Sequence, residues 1–173
     1  HGVYNYLHVA GGIAIPTCLG SRSTSPRERI GGLEGRYLRD GDILSLGPES
    51  KDYKPLDSIM PNTRHRDTLS LRFIPGFQFD QFSETTRQKL ISQVFSVTPR
   101  ANRMGIALSG DPVDTGIQAL LSEATCYGAI QIPPDGDPIV LLNDRQTIGG
   151  YPKLGSVFSL DIGALAQLVP GGI

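Results

Sequence analysis

Several features common in enzymes and binding proteins are scarce or absent in this chain of 173 residues. It has no tryptophan, two cysteines and three histidines. Cys18 and Cys126 lie too far apart for a zinc pattern and are too few for a disulfide framework, so both are expected to be reduced and partly buried. His1, His8 and His65 lack ligand-like spacing, and no metal is expected. Charge of one sign is lacking too: 16 Lys and Arg stand against 17 Asp and Glu, which leaves no net field to attract nucleic acid or a membrane surface. No apolar run is long enough to span a bilayer, and the first residues lack the regions of a signal peptide; the expected location is the cytoplasm. There is no GxxxxGK phosphate loop, no GxSxG elbow, no credible catalytic triad and no alternation of strand and helix. A self-sufficient catalytic centre is not legible.

Glycine and proline, by contrast, are abundant, at 21 and 13 residues. They punctuate short apolar runs, the pattern of a β-rich domain with many turns. Residues 127 to 153, YGAIQIPPDGDPIVLLNDRQTIGGYPK, stand out. Two strands are predicted there, Ala129 to Ile132 and Ile139 to Leu142, joined by a turn rich in Pro and Gly and followed by a polar loop. Asp144, Arg145, Gln146 and Thr147 leave the second strand before Gly149, Gly150 and Pro152 bend the backbone. Loops carrying polar groups off a rigid strand are common binding sites, although an ordinary polar loop fits the spacing equally well.

Elsewhere, alternation predicts a strand over residues 3 to 9 that ends at Gly11 and Gly12. Cys18 to Gly35 is a long irregular loop in which Arg22 could clamp a carboxylate or phosphate, or simply be solvated. Tyr37 to Leu46 reads as a hairpin turning at Arg39 to Asp42, and residues 47 to 67 as a surface connector where an internal boundary would fall. Thr68 to Ile74 is a strand stopped by Pro75 and Gly76. A helix follows, with Asp80 or Ser83 as its N-cap and Phe79, Phe82, Leu90 and Ile91 near helical spacing. Phe95 and Val97 begin a strand broken at Pro99, and Met104 to Leu108 form another, with Asn102 and Arg103 at its entrance. Those two suit an amide, urea-like or carboxylate ligand; alternatively, Asn102 caps a turn and Arg103 pairs with an acid. Gln118 to Glu123 suggests a helical turn, Ser156 to Leu160 a strand, and Asp161 the cap of a short helix from Gly163 to Leu168. The sum is eight to ten strands, one good helix and one short one, as in a sandwich or barrel.

Six motifs, YLHVAGGI, LGSRST, GGLEGRYLRDGD, ANRMGIALSG, GAIQIPPDGDPIVLLNDRQTIGGYPK and LDIGALAQLVPGG, occur here in the order of a known family. The chain resembles the family of allophanate hydrolase subunit 2 and biotin-dependent carboxyltransferases, which includes KipA-like proteins, the C subunit of bacterial 5-oxoprolinase and a region of urea carboxylase. The resemblance covers nearly the whole chain, and DRQTIGGYPK is its most specific block. It implies a mainly β, cyclophilin-like barrel with one or two short helices. It also implies a longer protein, with residues before the YLHVAGGI-like segment and after AQLVPGG, so that this chain is expected to be a fragment with open strand edges that dimerisation or aggregation would relieve.

The resemblance points to a subunit of an ATP-dependent amidohydrolase that opens the lactam of 5-oxoproline to glutamate, inactive without a KipI-like B subunit and an A subunit. No cofactor is expected in this chain, and ATP would act in the assembly. Two alternatives stand beside it. One is the carboxyltransferase part of a urea carboxylase, with biotin carried by another domain; the other is a regulatory protein that binds a KipI-type inhibitor of a histidine kinase. The residues singled out are Asp144 as the acid or base, and Arg22, Asn102, Arg103, Gln131, Gln146 and Thr147 as substrate ligands.

Overall fold

Apolar residues alternate at Ile106 and Leu108, at Ile130 and Ile132, and at Val140 and Leu142, and in the computed structural model each pair faces one common core. The structure describes residues 3–49, 68–117 and 120–173. The chain divides into two compact units, one made of His1–Asn5 with Thr63–Ile173, the other of Tyr6–Asn62.

The first unit contains β1 (Phe73–Pro75), β2 (Ser96–Ala101), β3 (Gly105–Ser109), β4 (Glu123–Ala124), β5 (Ala129–Gln131), β6 (Ile139–Leu141), β7 (Ile148–Gly149) and β8 (Lys153–Val157). Six of them form an antiparallel sheet in the order β1-β8-β5-β6-β3-β2, while β4 and β7 pair as a separate ribbon. Helices α1 (Glu84–Ser92) and α2 (Ser159–Leu165) supply Leu90, Ile162 and Leu165 to the core formed with the sheet. Among the described residues the fold is therefore mainly β with two short helices. Its sheet is open among the described residues, with β1 and β2 at its ends and no closed barrel.

Local chemistry explains the element ends. Ser83 caps α1, its Oγ accepting from Thr86 N at 3.1 Å. Pro99 does not break its strand, contrary to expectation, because β2 is an edge strand with an irregular register between Val97 and Ala101, where a missing N–H costs no ladder bond. Asp161 is not a cap either. The helix begins two residues earlier, and Asp161 instead accepts from the Arg72 guanidinium at 2.7 and 3.0 Å and from Arg72 N at 2.9 Å. These bonds, the guanidinium's first, pull its carboxyl down to about 2. Leu69, Leu71 and Phe73 do point to the core, as their alternation predicts, but only Phe73–Pro75 pairs with β8, and Pro75 belongs to the strand. The last strand is displaced as well, starting at Lys153 rather than Ser156.

Residues 3 to 9 form no strand: Tyr6 is 94% and Leu7 81% exposed, so the alternation there has no buried face to serve. In the second unit Cys18 to Gly35 is irregular, as expected, held by bridges between Cys18 and Ser21 and between Ser25 and Ile30. The turn at Arg39 to Asp42 is present, with Asp42 N donating to Arg39 O at 3.1 Å, but it joins no hairpin. Leu46 bridges to Ile13 instead, and Asp42 anchors the turn by accepting two bonds from Arg36 at 2.7 and 2.8 Å. Arg36 first, and the Arg39 N–H after it, hold the Asp42 carboxyl at about 2. Cys18 is half-buried, while Cys126 is exposed rather than partly buried, and both are free thiols. Most of the expected connector, residues 50 to 67 including His65, lies outside the described residues, as do Gln118 and Ala119; Glu123 belongs to a strand, not a helical turn.

Candidate functional site

The segment from Tyr127 to Lys153 folds as its punctuation predicts. In the turn between β5 and β6, Gly136 has φ +80° and donates to Pro133 O at 2.9 Å. A Cβ there would meet Val113 N at 2.5 Å, so glycine is required by conformation and by space. The hairpin so closed aligns Gln131, the last residue of β5, with Ile139 on β6 and Lys153 on β8. Because Ile130 and Ile132 face the core, the two-residue period turns Gln131 to the opposite face of the sheet.

Gln131 is nevertheless only 1% exposed. Its Oε1 accepts from Gln146 Nε2 at 3.2 Å, and among the described residues its Nε2 has no partner. A buried amide with a free donor is costly, and such groups in a folded protein call for an explanation. The loop after β6 is pinned above this amide by Thr125, whose N donates to Thr147 O at 2.9 Å and whose hydroxyl donates to Gln146 O. Gly149 then brings β7 against the amide so closely that a Cβ would lie 2.6 Å from Gln131 Nε2. Of the residues singled out from sequence, Gln131, Gln146 and Thr147 are thus brought together, Thr147 through its backbone.

Three of the others form a second group. Arg103 Nε and Nη2 donate to the Asp144 carboxylate at 2.7 and 3.1 Å, and Asp144 N donates to Arg103 O at 2.9 Å. Asn102 Oδ1 accepts from Met104 N at 2.8 Å and closes the turn between β2 and β3. The geometry is that of the alternative raised above: a capping asparagine, and an arginine paired with an acid. Both oxygens of Asp144 are engaged by a guanidinium, an arrangement that fixes the end of β6 to the entrance of β3. Arg22 belongs to the other unit, where its Nε donates to Ile15 O at 3.0 Å.

Sequence reasoning missed Gln78, Glu123 and Lys153. Gln78, 4% exposed, accepts from Lys153 N at 2.6 Å through Oε1 and donates to Glu123 Oε1 at 2.6 Å through Nε2. Lys153 Nζ lies 3.3 Å from Glu123 Oε2 as an ion pair, yet it is buried and among the described residues makes no hydrogen bond. The available signals were a lone glutamine inside the apolar run FIPGFQF and a lysine closing the GGYPK motif on the first residue of a strand. Together with Gln131 and Gln146 these side chains make a compact polar cluster, net neutral, of fixed amide donors and acceptors. Such groups orient a small planar amide, lactam, urea or carboxylate without reorganising during reaction. Among the described residues no group of three His, Cys, Asp or Glu side chains could hold a metal ion, and no helix is long and apolar enough to cross a membrane.

Comparison with known proteins places this geometry in a context. The family described as carboxyltransferase domain, subdomain A and B, matches residues 1–172. The chain is 37% identical over 172 residues to the C subunit of 5-oxoprolinase from Escherichia coli (strain K12), covering 99% of this chain and 54% of that protein. It is 27% identical over 193 residues to the urea amidolyase of Lachancea kluyveri, covering 98% of this chain and 10% of that one. Among solved structures, TTHA0988 superposes with a TM-score of 0.75 at 36% identity, over 93% of this chain and 30% of that one. The Kluyveromyces lactis urea carboxylase superposes with a TM-score of 0.79 at 24% identity, over 94% and 16%, a likeness of fold. The chain spans about half the length of the 5-oxoprolinase relatives it matches, 54% and 53%.

Proposed function

The chain belongs to the carboxyltransferase domain, subdomain A and B, family, and on that premise we propose that it supplies part of the substrate site of a 5-oxoprolinase-type assembly. In this reading the assembly uses ATP to open the lactam of 5-oxoproline to glutamate. This chain works in the cytoplasm beside a KipI-like B subunit and an A subunit, where the ATP is consumed. The observation that carries the reading is the Gln131 amide, buried on the sheet, linked to Gln146 of the DRQTIGGYPK loop and left with a free donor. That donor suits an oxygen acceptor on a small amide, lactam or carboxylate substrate, held in place while the reaction proceeds elsewhere on it. Asp144 remains the candidate acid or base, and acting as one would require it to loosen its bonds to Arg103.

The test is reconstitution with B and A subunits, followed by measurement of 5-oxoproline-dependent ATP hydrolysis. The assembly is expected to turn over and the chain alone to be inert. Asp144→Ala should lower turnover at least tenfold if the carboxylate moves protons. Its effect on stability should stay within about 1 kcal/mol, the scale of an exposed ion pair. Full activity of that variant removes Asp144 from the machinery.

The urea amidolyase relatives favour a second reading, in which the same cluster receives the carboxyl group of carboxybiotin carried by another domain. Activity towards urea that avidin abolishes, with no response to 5-oxoproline, would decide for it.

A further inference from the structure

Two buried donors lie beside the β4–β7 ribbon, and among the described residues neither makes a hydrogen bond. Gln131 and Lys153 are directly opposite on β5 and β8, so their side chains leave the sheet on the same face. Glu123 and Gly149 are directly opposite on β4 and β7. The Gln131 amide nitrogen abuts Gly149, and the Lys153 ammonium abuts Glu123. Both side-chain ends therefore reach one cross-strand pair of the ribbon. Glu123 balances the charge of Lys153 without accepting a hydrogen bond from it, and Gln131 Nε2 has no hydrogen-bond partner among the described residues. A buried ammonium and a buried amide, both unspent, lack the same thing: an oxygen acceptor.

We propose that Lys153 and Gln131 together seat a carboxylate group of a small ligand, one oxygen accepting from the Lys153 ammonium and the other from the Gln131 carboxamide. A carboxylate offers two oxygens in one plane, which suits donors arriving from neighbouring strands. It also brings the negative charge that an ammonium prefers over a neutral carbonyl. Entry is from the side of Gln146 and Glu123, both exposed, with the Glu123 side chain 46% accessible. Glu123 then has a definite role as a built-in competitor. Its carboxylate holds the ammonium while the seat is empty and repels the anion that displaces it. The inference rests on the polar cluster being the substrate end of the chain, and it does not depend on which reaction the assembly performs.

The experiment uses the chain itself, titrated calorimetrically with three probes of similar size: 5-oxoproline, cyclopentanecarboxylate and 2-pyrrolidinone. The first two should bind, and the neutral lactam should bind at least tenfold more weakly. Lys153→Met should weaken both carboxylates tenfold or more, and Gln131→Met severalfold. Glu123→Gln, which keeps the acceptor for Gln78 but removes the competing charge, should strengthen both severalfold. That gain is what a purely structural Lys153–Glu123 ion pair cannot produce, and the Glu123 variant keeps the test decisive even if Lys153→Met fails to fold. Binding of 2-pyrrolidinone as tight as that of the carboxylates, no binding of any probe by the parent chain, or unchanged or weaker carboxylate binding by Glu123→Gln would each overturn the proposal. Carboxylate binding with no turnover in the reconstituted assembly would instead count against the proposed function and leave the seat standing.

Discussion

Replacing Gln131 by methionine should weaken function severalfold and leave the protein at least as stable as before. Methionine matches the length of glutamine and adapts to irregular space, so no cavity opens. The change deletes one hydrogen bond, the 3.2 Å contact from Gln146, which sits at the long end of the useful range. Such a bond contributes about 0.5 to 1.5 kcal/mol, and exposed Gln146 recovers much of that from water. Against this, the free Nε2 of Gln131 is buried at a cost of about 1 to 3 kcal/mol, and that penalty disappears. The balance is a gain of about 0 to 2 kcal/mol. Urea denaturation followed by far-ultraviolet circular dichroism measures it. With a slope of about 2 kcal/mol per molar urea, a gain of 1 kcal/mol raises the midpoint by roughly 0.5 M. Carboxylate binding and turnover in the assembly should fall in the same variant. A loss of stability greater than about 2 kcal/mol would refute the reasoning, because it would mean that the amide is fully satisfied and structural.

Three further outcomes follow from the packing and the charges. Gly149→Ala places a Cβ 2.6 Å from Gln131 Nε2 and 3.3 Å from Thr125 Cγ2, so the amide must shift; carboxylate titration should weaken and stability should fall by about 1 to 3 kcal/mol. The Asp42 and Asp161 carboxyls sit at about 2 in the folded chain against an ordinary 3.8. A lowered folded pKa stabilises above the ordinary value and is lost as protons arrive, so Asp42→Asn with Asp161→Asn should flatten the drop in stability between about pH 4 and pH 2 in acid titration. Ile162, fully buried in α2, should cost about 2 to 5 kcal/mol when cut to alanine, read from the denaturation midpoint; less than about 1 kcal/mol would mean that α2 is not part of the cooperative core.

What could be read ahead of the structure depended on how local the determining physics is. The β5–β6 hairpin, β3 and α1 were legible because turn residues, alternation and a serine cap act over a few positions. Residues 3 to 9 show the limit: alternation marks a strand only where a partner buries one face, and none does so here. The open ends of the sheet depend likewise on pairing, which no window of sequence reports. Pro99 was misread for the same reason, since its meaning turns on whether β2 is central or at an edge. Asp161 reads as a helix cap from its neighbours alone, and Arg72, far away in sequence, takes its carboxylate instead.

The candidate site divides along the same line. Gln131 and Gln146 stood out because they sit in one unusual stretch, but Lys153 in that same stretch did not, since its importance comes from β8 lying beside β5 and from β4 meeting β7. Once those pairings are known, the ten residues from Asp144 to Lys153 act as a strap across the unit. Asp144 ties it to Arg103, Gln146 reaches the buried amide, Gly149 leaves that amide room, and Lys153 arrives opposite Gln131 with its own N–H held by Gln78. A strap fixed at so many points is well suited to hold two unspent donors at one place. Leaving them unspent weakens the fold, and seating a carboxylate would supply the missing acceptor.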